Sequence, residues 1–366
     1  MNTKTIILAT SALALLAACS KSEVLPVESA PQEITFQTVE TKAASNFSEN
    51  NAFYSYAFFL EKGTGASAKN WADNHSESKA YIAKSLIEYN STDKAWKNAT
   101  TKYYWPKEGS LTFFAWTDNT KAPAVDPTDA VSCAENTGIK FTNYDITSNT
   151  NKNKDLLVAD MVKDATKNTD SYTGSPSGAT WEKGVPTIFK HVLSNLVFNI
   201  KTDYATSDDE YKSVDFKLKS IDLKNVYTKG TYTQGSPTAS TTPWNDYTDS
   251  ETLNIFNGEL AVTKATDTPT TITSSYSIVL PQTFEAVTTI GTTTPVITVK
   301  YDIVTEYVSG SPVTETITVT KSLNEIYSGK WEPAKKYTLT LIVGLNEILW
   351  DPDVKDWDTV SNNLNI

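Results

Sequence analysis

Apolar and polar residues alternate with a period of two along most of this chain. Ile34 and Phe36 alternate with Thr35 and Gln37. Leu111, Phe113 and Ala115 alternate with Thr112, Phe114 and Trp116, and Leu196, Phe198 and Ile200 with Val197, Asn199 and Lys201. Val214, Phe216 and Leu218, then Tyr276, Ile278 and Leu280, then Tyr337, Leu339, Leu341 and Val343, mark further one-sided faces. This is the strand period, and one wet face per strand predicts antiparallel sheets packed on one side. The clearest hairpin runs from Val296 to Lys321, with Ser309-Gly310-Ser311-Pro312 at its turn. No sustained amphipathic helix stands out. Ala80 to Tyr89 fits a short helix or a strand equally well.

Strands joined by Gly, Pro, Asn and Ser loops predict an all-β chain of sandwiches or barrels. At 366 residues the length suits two domains. The loop-like stretch from Ser175 to Pro186 divides the mature chain nearly in half. Residues 33–184 and 185–366 are therefore read as an N-terminal and a C-terminal β-unit. Two Thr/Ser/Gly-rich stretches, Lys229 to Tyr247 and Thr263 to Ser275, read as long solvated loops.

The first residues read as an address. Lys4 precedes an apolar run from Ile6 to Ala18, which is short for a bilayer span. Leu15-Leu16-Ala17-Ala18-Cys19 resembles a bacterial lipobox. Residues 1–18 are then a lipoprotein signal peptide, and Cys19 carries the lipid that anchors the protein to the outer membrane. An ordinary signal peptide with an incidental Cys19 is the alternative. Residues 19–32, polar with two prolines, read as a tether. Lipidation leaves Cys133 as the one thiol, so the mature chain has no internal disulfide to make.

Composition narrows the function. The net charge is −11 and every basic residue is Lys, which disfavours nucleic-acid binding. Nine Trp, 18 Tyr and 13 Phe suit strands and sandwich cores. The 2 His are far from any second ligand-spaced His or Cys. No H-E-x-x-H, G-x-S-x-G, P-loop or G-x-G-x-x-G motif is present. The acidic run Asp351 to Asp358 lacks the turn glycine of a calcium loop and carries Lys355, so it reads as a solvated turn and strand end. Tyr103-Tyr104-Trp105-Pro106 and Phe113-Phe114-Ala115-Trp116 read as core, with sugar-stacking platforms as the alternative. No catalytic, cofactor or metal residue is assigned, and the chain is read as a non-enzyme.

The order of segments adds a resemblance. Trp96, Tyr103-Tyr104-Trp105-Pro106, Leu111 to Trp116 and Asp155-Leu156-Leu157-Val158-Ala159 resemble the N-terminal domain of the Bacteroidales fimbrillins. Val185 to Ser194, Val226 to Tyr232, Leu280-Pro281-Gln282, Gly329-Lys330 leading to Tyr337 to Leu341, and Val354 to Trp357 continue in the same order. The resemblance implies two tandem transthyretin-like antiparallel β-sandwich domains, lipoprotein export and assembly into a pilus. It also implies removal of the first strand by a protease, and refilling of the groove by a strand of the next subunit. Here that strand is Glu33 to Val39, with Ile34 and Phe36 filling the groove. The matching cleavage site is Lys42-Ala43, where Lys42 replaces the usual Arg of the family. Either a Lys-tolerant protease acts there, or the subunit keeps its strand and caps or anchors a fibre. The expected partners are other pilus subunits, the outer membrane through the lipid, and a host or bacterial surface receptor. The alternative is a monomeric outer-membrane lipoprotein that binds glycans.

Overall fold

The structure is a computed structural model that describes residues 31–38, 47–63, 68–167, 184–204, 211–235, 243–262, 268–345 and 347–357. Cys19, Lys42 and Ala43 lie outside them, as do the signal peptide, most of the tether and most of the expected Ser175–Pro186 divide.

The chain is nearly all strand. The N-terminal half carries β1 (Phe36–Thr38), β2 (Ala52–Leu60), a short helix α1 (Trp71–Asn74), β3 (Lys79–Asn90), β4 (Ala95–Asn98) and β5 (Ser110–Thr117). It continues through β6 (Ala130–Ala134), β7 (Gly138–Asp145), β8 (Leu157–Ala159) and β9 (Val162–Ala165). Then come β10 (Val185–Thr187), β11 (Phe189–His191), β12 (Ser194–Thr202), β13 (Tyr211–Thr233) and β14 (Trp244–Ala261). The rest comprises β15 (Thr270–Ile272), β16 (Ile278–Val279), β17 (Gln282–Thr283), β18 (Val296–Tyr307), β19 (Val313–Ser322), α2 (Leu323–Tyr327), β20 (Lys330–Trp331), β21 (Lys335–Val343) and β22 (Ile348–Asp356).

Nine strands form the first sheet, in the order β10-β1-β4-β3-β2-β5-β8-β11, with β9 on β5. One set of its side chains closes into a core that includes Phe53, Ile82, Ile87, Trp96, Phe113 and Phe189. The opposite faces of β2 and β5 are apolar too. Tyr56, Phe58, Phe114 and Trp116 join Ile139, Phe141 and Tyr144 of β7 in a second, larger core. This is why the Phe113-Phe114-Ala115-Trp116 run carries no polar position: both faces of β5 are covered.

The second core extends through a five-stranded sheet, β15-β12-β21-β22 with β16 on β12, and a six-stranded sheet, β19-β18-β13-β7-β6 with β14 on β13. The alternation read along β12 and β21 is realised: Leu196, Phe198 and Ile200 lie beside Tyr337, Leu339 and Leu341 in a parallel pair. The Val296–Lys321 hairpin forms as β18 and β19, in register from Val296↔Ser322 to Thr305↔Val313.

The structure settles one open reading and revises two. Of the two alternatives for Ala80 to Tyr89 the strand forms, within β3, where it pairs with β2 and β4. The two ends of the stretch from Lys229 to Tyr247 are ladder, since β13 runs to Thr233 and β14 starts at Trp244. Its Thr, Tyr and Trp residues suit a pleated surface, and four register shifts in the β13–β14 pair blur the period of two. The acidic run from Asp351 to Asp356 lies in an extended strand, β22, which among the described residues pairs only with β21. Its carboxylates, Lys355 and Pro352 are the residues that keep an edge from pairing with a stray chain.

Three pairings cross between the halves of the chain: β1 with β10, β8 with β11, and β7 with β13. The end of β13 pairs with β7, Lys229 opposite Asp145 and Gly230 opposite Tyr144. Around it Phe141 meets Trp116 edge-on at 5.3 Å, and the Trp244 indole N–H donates to the Val192 carbonyl at 2.6 Å.

Candidate functional site: the seat of the first strand

The first strand lies inside the sheet, one position from its edge. β1 runs parallel to β10, Phe36 opposite Val185 and Thr38 opposite Thr187. On its other side Phe36 is opposite Trp96 of β4, antiparallel. Before β1, Glu33 bridges to Tyr104. The Ile34 N–H donates to the Tyr103 carbonyl at 2.8 Å, and the Trp105 N–H donates to the Gln32 carbonyl at 2.9 Å. Thus Tyr103-Tyr104-Trp105 is the strip of backbone against which the chain enters.

Ile34 and Phe36 are 3% exposed each, so the two residues read as groove-filling are buried. Phe36 sits edge-on to Phe53 at 5.6 Å and to Phe113 at 5.7 Å. Behind these, Phe47 contacts Trp96 at 5.0 Å and stacks on Phe189 at 5.1 Å. Rings from β1, β2, β4, β5 and β11 thus meet in one place. Burying an Ile and a Phe contributes roughly 2–3 kcal/mol each in transfer free energy, with edge-on ring pairs adding to it.

Two features tie β10 to this strand. Among the described residues, β1 is the only ladder partner of β10. Pro186, with no N–H to donate, is tolerated because β10 is an edge. Gly184, just before β10, has φ +109°, and its backbone lies against the Thr35–Phe36 peptide. The Val185 N–H then donates to the Thr35 carbonyl at 2.8 Å. The seat is apolar inside and charged only at its rim, where Lys97 holds Asp93 and Lys102 stands 4.0 Å from Glu33. The hydrogen bond that Lys97 donates to the Asp93 carboxylate, foremost, raises the pKa of Lys97.

The other sequence candidates go elsewhere. His75 opens a short 3-10 turn, with its Nδ1 3.1 Å from the Trp71 carbonyl. His191 is buried, its Nδ1 2.7 Å from Asp155 and its ring stacked at 4.0 Å on Trp357. Cys133 is half-buried on β6, and burial pushes its thiol pKa up, away from the reactive thiolate. Among the described residues no three His, Cys, Asp or Glu side chains gather as a metal would need, and no helix is long and apolar enough to cross a membrane. Phe113, Phe114 and Trp116 are buried, while Tyr104 is 39% exposed. Gly184 and β10 are the parts of the seat that sequence reading missed. The signal was a lone glycine before Val-Pro, which is weak.

Residues 41–357 match the family described as fimbrillin-like. The chain belongs to the fimbrillin-like family. The family match begins after β1, so the buried first strand lies outside it. A fimbrial protein from Bacteroides vulgatus shares the fold of this fimbrillin-like chain: TM-score 0.62, 18% identity, 89% of this chain and 99% of that one covered. The tip fimbrial protein Mfa3 from Porphyromonas gingivalis, truncated at its C-terminus, aligns over 86% of this chain and 97% of its own, with 11% identity and a TM-score of 0.37. No curated protein matches the sequence.

Proposed function

We propose that this fimbrillin-like chain is a structural subunit or adhesin of a cell-surface pilus. In this reading Cys19 carries the lipid for outer-membrane export. Cleavage after Lys42 then frees the segment that contains β1. The vacated seat takes a strand from the next subunit.

The observation that supports it is the position of β1. A strand near the N-terminus is held between β4 and β10 and is joined to β2 only by residues 39–51. Removing it uncovers Phe53 and Phe113 and strips β10 of its ladder partner. An open seat of this kind is a template for strand addition, in which the backbone supplies affinity and alternate side chains supply register. The two tandem sandwich domains expected for residues 33–184 and 185–366 belong to the same proposal, joined by the β1–β10, β8–β11 and β7–β13 pairings.

The test is protein lacking residues 1–42, mixed with a peptide of residues 32–42. The protein should polymerise alone or take up the peptide, and a peptide with Phe36→Asp should not compete. Refusal of both polymerisation and peptide would sink the proposal.

A further inference from the structure

The outer edge of the six-stranded sheet is β19, whose ladder partner among the described residues is β18 alone. The Leu323 N–H donates to the Pro295 carbonyl at 3.0 Å and carries that ladder one step past Val296↔Ser322. Antiparallel bonding alternates along a strand, so the odd-numbered residues of β19 bond to β18. The backbone N–H and C=O groups of Thr314, Thr316, Thr318 and Thr320 therefore face outward, and all four residues are exposed.

Other edges of the chain are guarded. β22 carries Pro352 and Lys355, β10 carries Pro186, and β14 meets β13 with four register shifts. β19 has ten paired positions, no proline and no register shift. Its charges, Glu315 and Lys321, lie opposite the buried Ile303 and Ile297, on the core-side face of the sheet. Charges placed there turn away any added strand that does not bring the opposite charge to each position.

The strand that meets this requirement is β19 itself. Glu315-Thr316-Ile317-Thr318-Val319-Thr320-Lys321 reads the same from both ends in residue class, with the charge reversed. We propose that β19 pairs antiparallel with β19 of a second copy, about a two-fold axis at Thr318. Glu315 is then opposite Lys321 of the second copy and Ile317 opposite its Val319, each twice by symmetry. No other register sets Glu315 against Lys321. The bonding phase agrees: Thr318 meets Thr318, and Thr316 meets Thr320, through the backbone groups that already face outward. Ile317 and Val319, half-buried at the margin of the larger core, cover each other across the join. Within one copy Lys321 stands 3.6 Å from Glu325, while Glu315 has no ion-pair partner among the described residues. Pairing supplies its cation. A two-fold contact closes on itself. It joins two copies side by side, does not lengthen a fibre, and is separate from the first-strand seat.

The test uses residues 20–366 with the first strand in place, so it is read independently of strand exchange. Single cysteines replace Thr316, Thr318 or Thr320, and disulfide-linked dimers are followed under mild oxidation. Cys133, common to every variant, sets the background. About the proposed axis the two Thr318 Cα atoms lie about 5.5 Å apart, within disulfide reach, whereas two Thr316 Cα atoms lie roughly 13 Å apart. Thr318→Cys should crosslink about tenfold faster than Thr316→Cys or Thr320→Cys alone, and mixing those two should link one to the other. Glu315→Lys in the Thr318→Cys chain should slow crosslinking about tenfold, and adding Lys321→Glu should restore it. Equal rates at the three positions, indifference to Glu315→Lys, or a slowing that the double reversal leaves in place would overturn the proposal.

Discussion

Gly184 lies so close to Thr35 that a side-chain carbon on Gly184 would stand 2.7 Å from the Thr35 carbonyl oxygen. The seat of the first strand is thus fitted to backbone as well as to side chains. Gly184→Ala meets both a positive φ and this clash. It should destabilise the protein by roughly 2–4 kcal/mol, with earlier hydrogen exchange at residues 33–38 than elsewhere. Unchanged exchange there would show that the strand does not depend on this approach.

Phe36 is the ring that β1 itself brings to the seat, edge-on to Phe53 and Phe113. Phe36→Ala should cost about 3–5 kcal/mol in urea unfolding, the usual range for a buried ring. Gln37→Ala, on the half-buried neighbour, should cost far less. Equal losses would mean that the aromatic cluster is not what holds the strand.

How far the sequence disclosed this depended on distance along the chain. Alternation at Ile34 and Phe36 marked a strand and its inward face, and the Val296–Lys321 period marked a hairpin whose register the structure keeps. These are local signals. The neighbours of β1 are not local: Trp96 lies 60 positions after Phe36 and Val185 lies 149 after it. No period announces such pairings. The β13–β14 ribbon was half-hidden because its bulges shift the alternation, and its Thr and Gly content reads as loop. The pairing of β7 with β13 joins strands from opposite sides of the expected divide, which composition alone does not reveal.

That pairing has a thermodynamic consequence. With one core running from β2 and β5 through β7 to β13, and the β7–β13 ladder crossing the divide, the halves should melt together. Calorimetry should give a single transition whose calorimetric and van't Hoff enthalpies agree. Two resolved transitions would show that the β7–β13 bridge does not couple them.

Asp129 supplies a pH signature. Burial foremost pushes its carboxyl up to about 6, although the Asn151 amide donates to it at 2.6 Å. The folded state therefore binds a proton there that the unfolded chain releases nearer pH 4. Stability from this group is greatest below pH 4, declines as pH rises towards 6, and above 6 the buried charge is a full penalty. Asp129→Asn should raise stability at pH 7.5 by about 1–2 kcal/mol, with the gain vanishing below pH 4. A gain independent of pH would place the effect elsewhere.

The central claim is that the first strand leaves and another takes its seat. Mass spectrometry of the protein from sheared native fibres and from the outer membrane reads this directly. The account predicts a mature N-terminus at Ala43 in the fibre fraction, with residues 20–42 lost. A lipid-modified Cys19 followed by an intact first strand in every fibre-borne copy would contradict it.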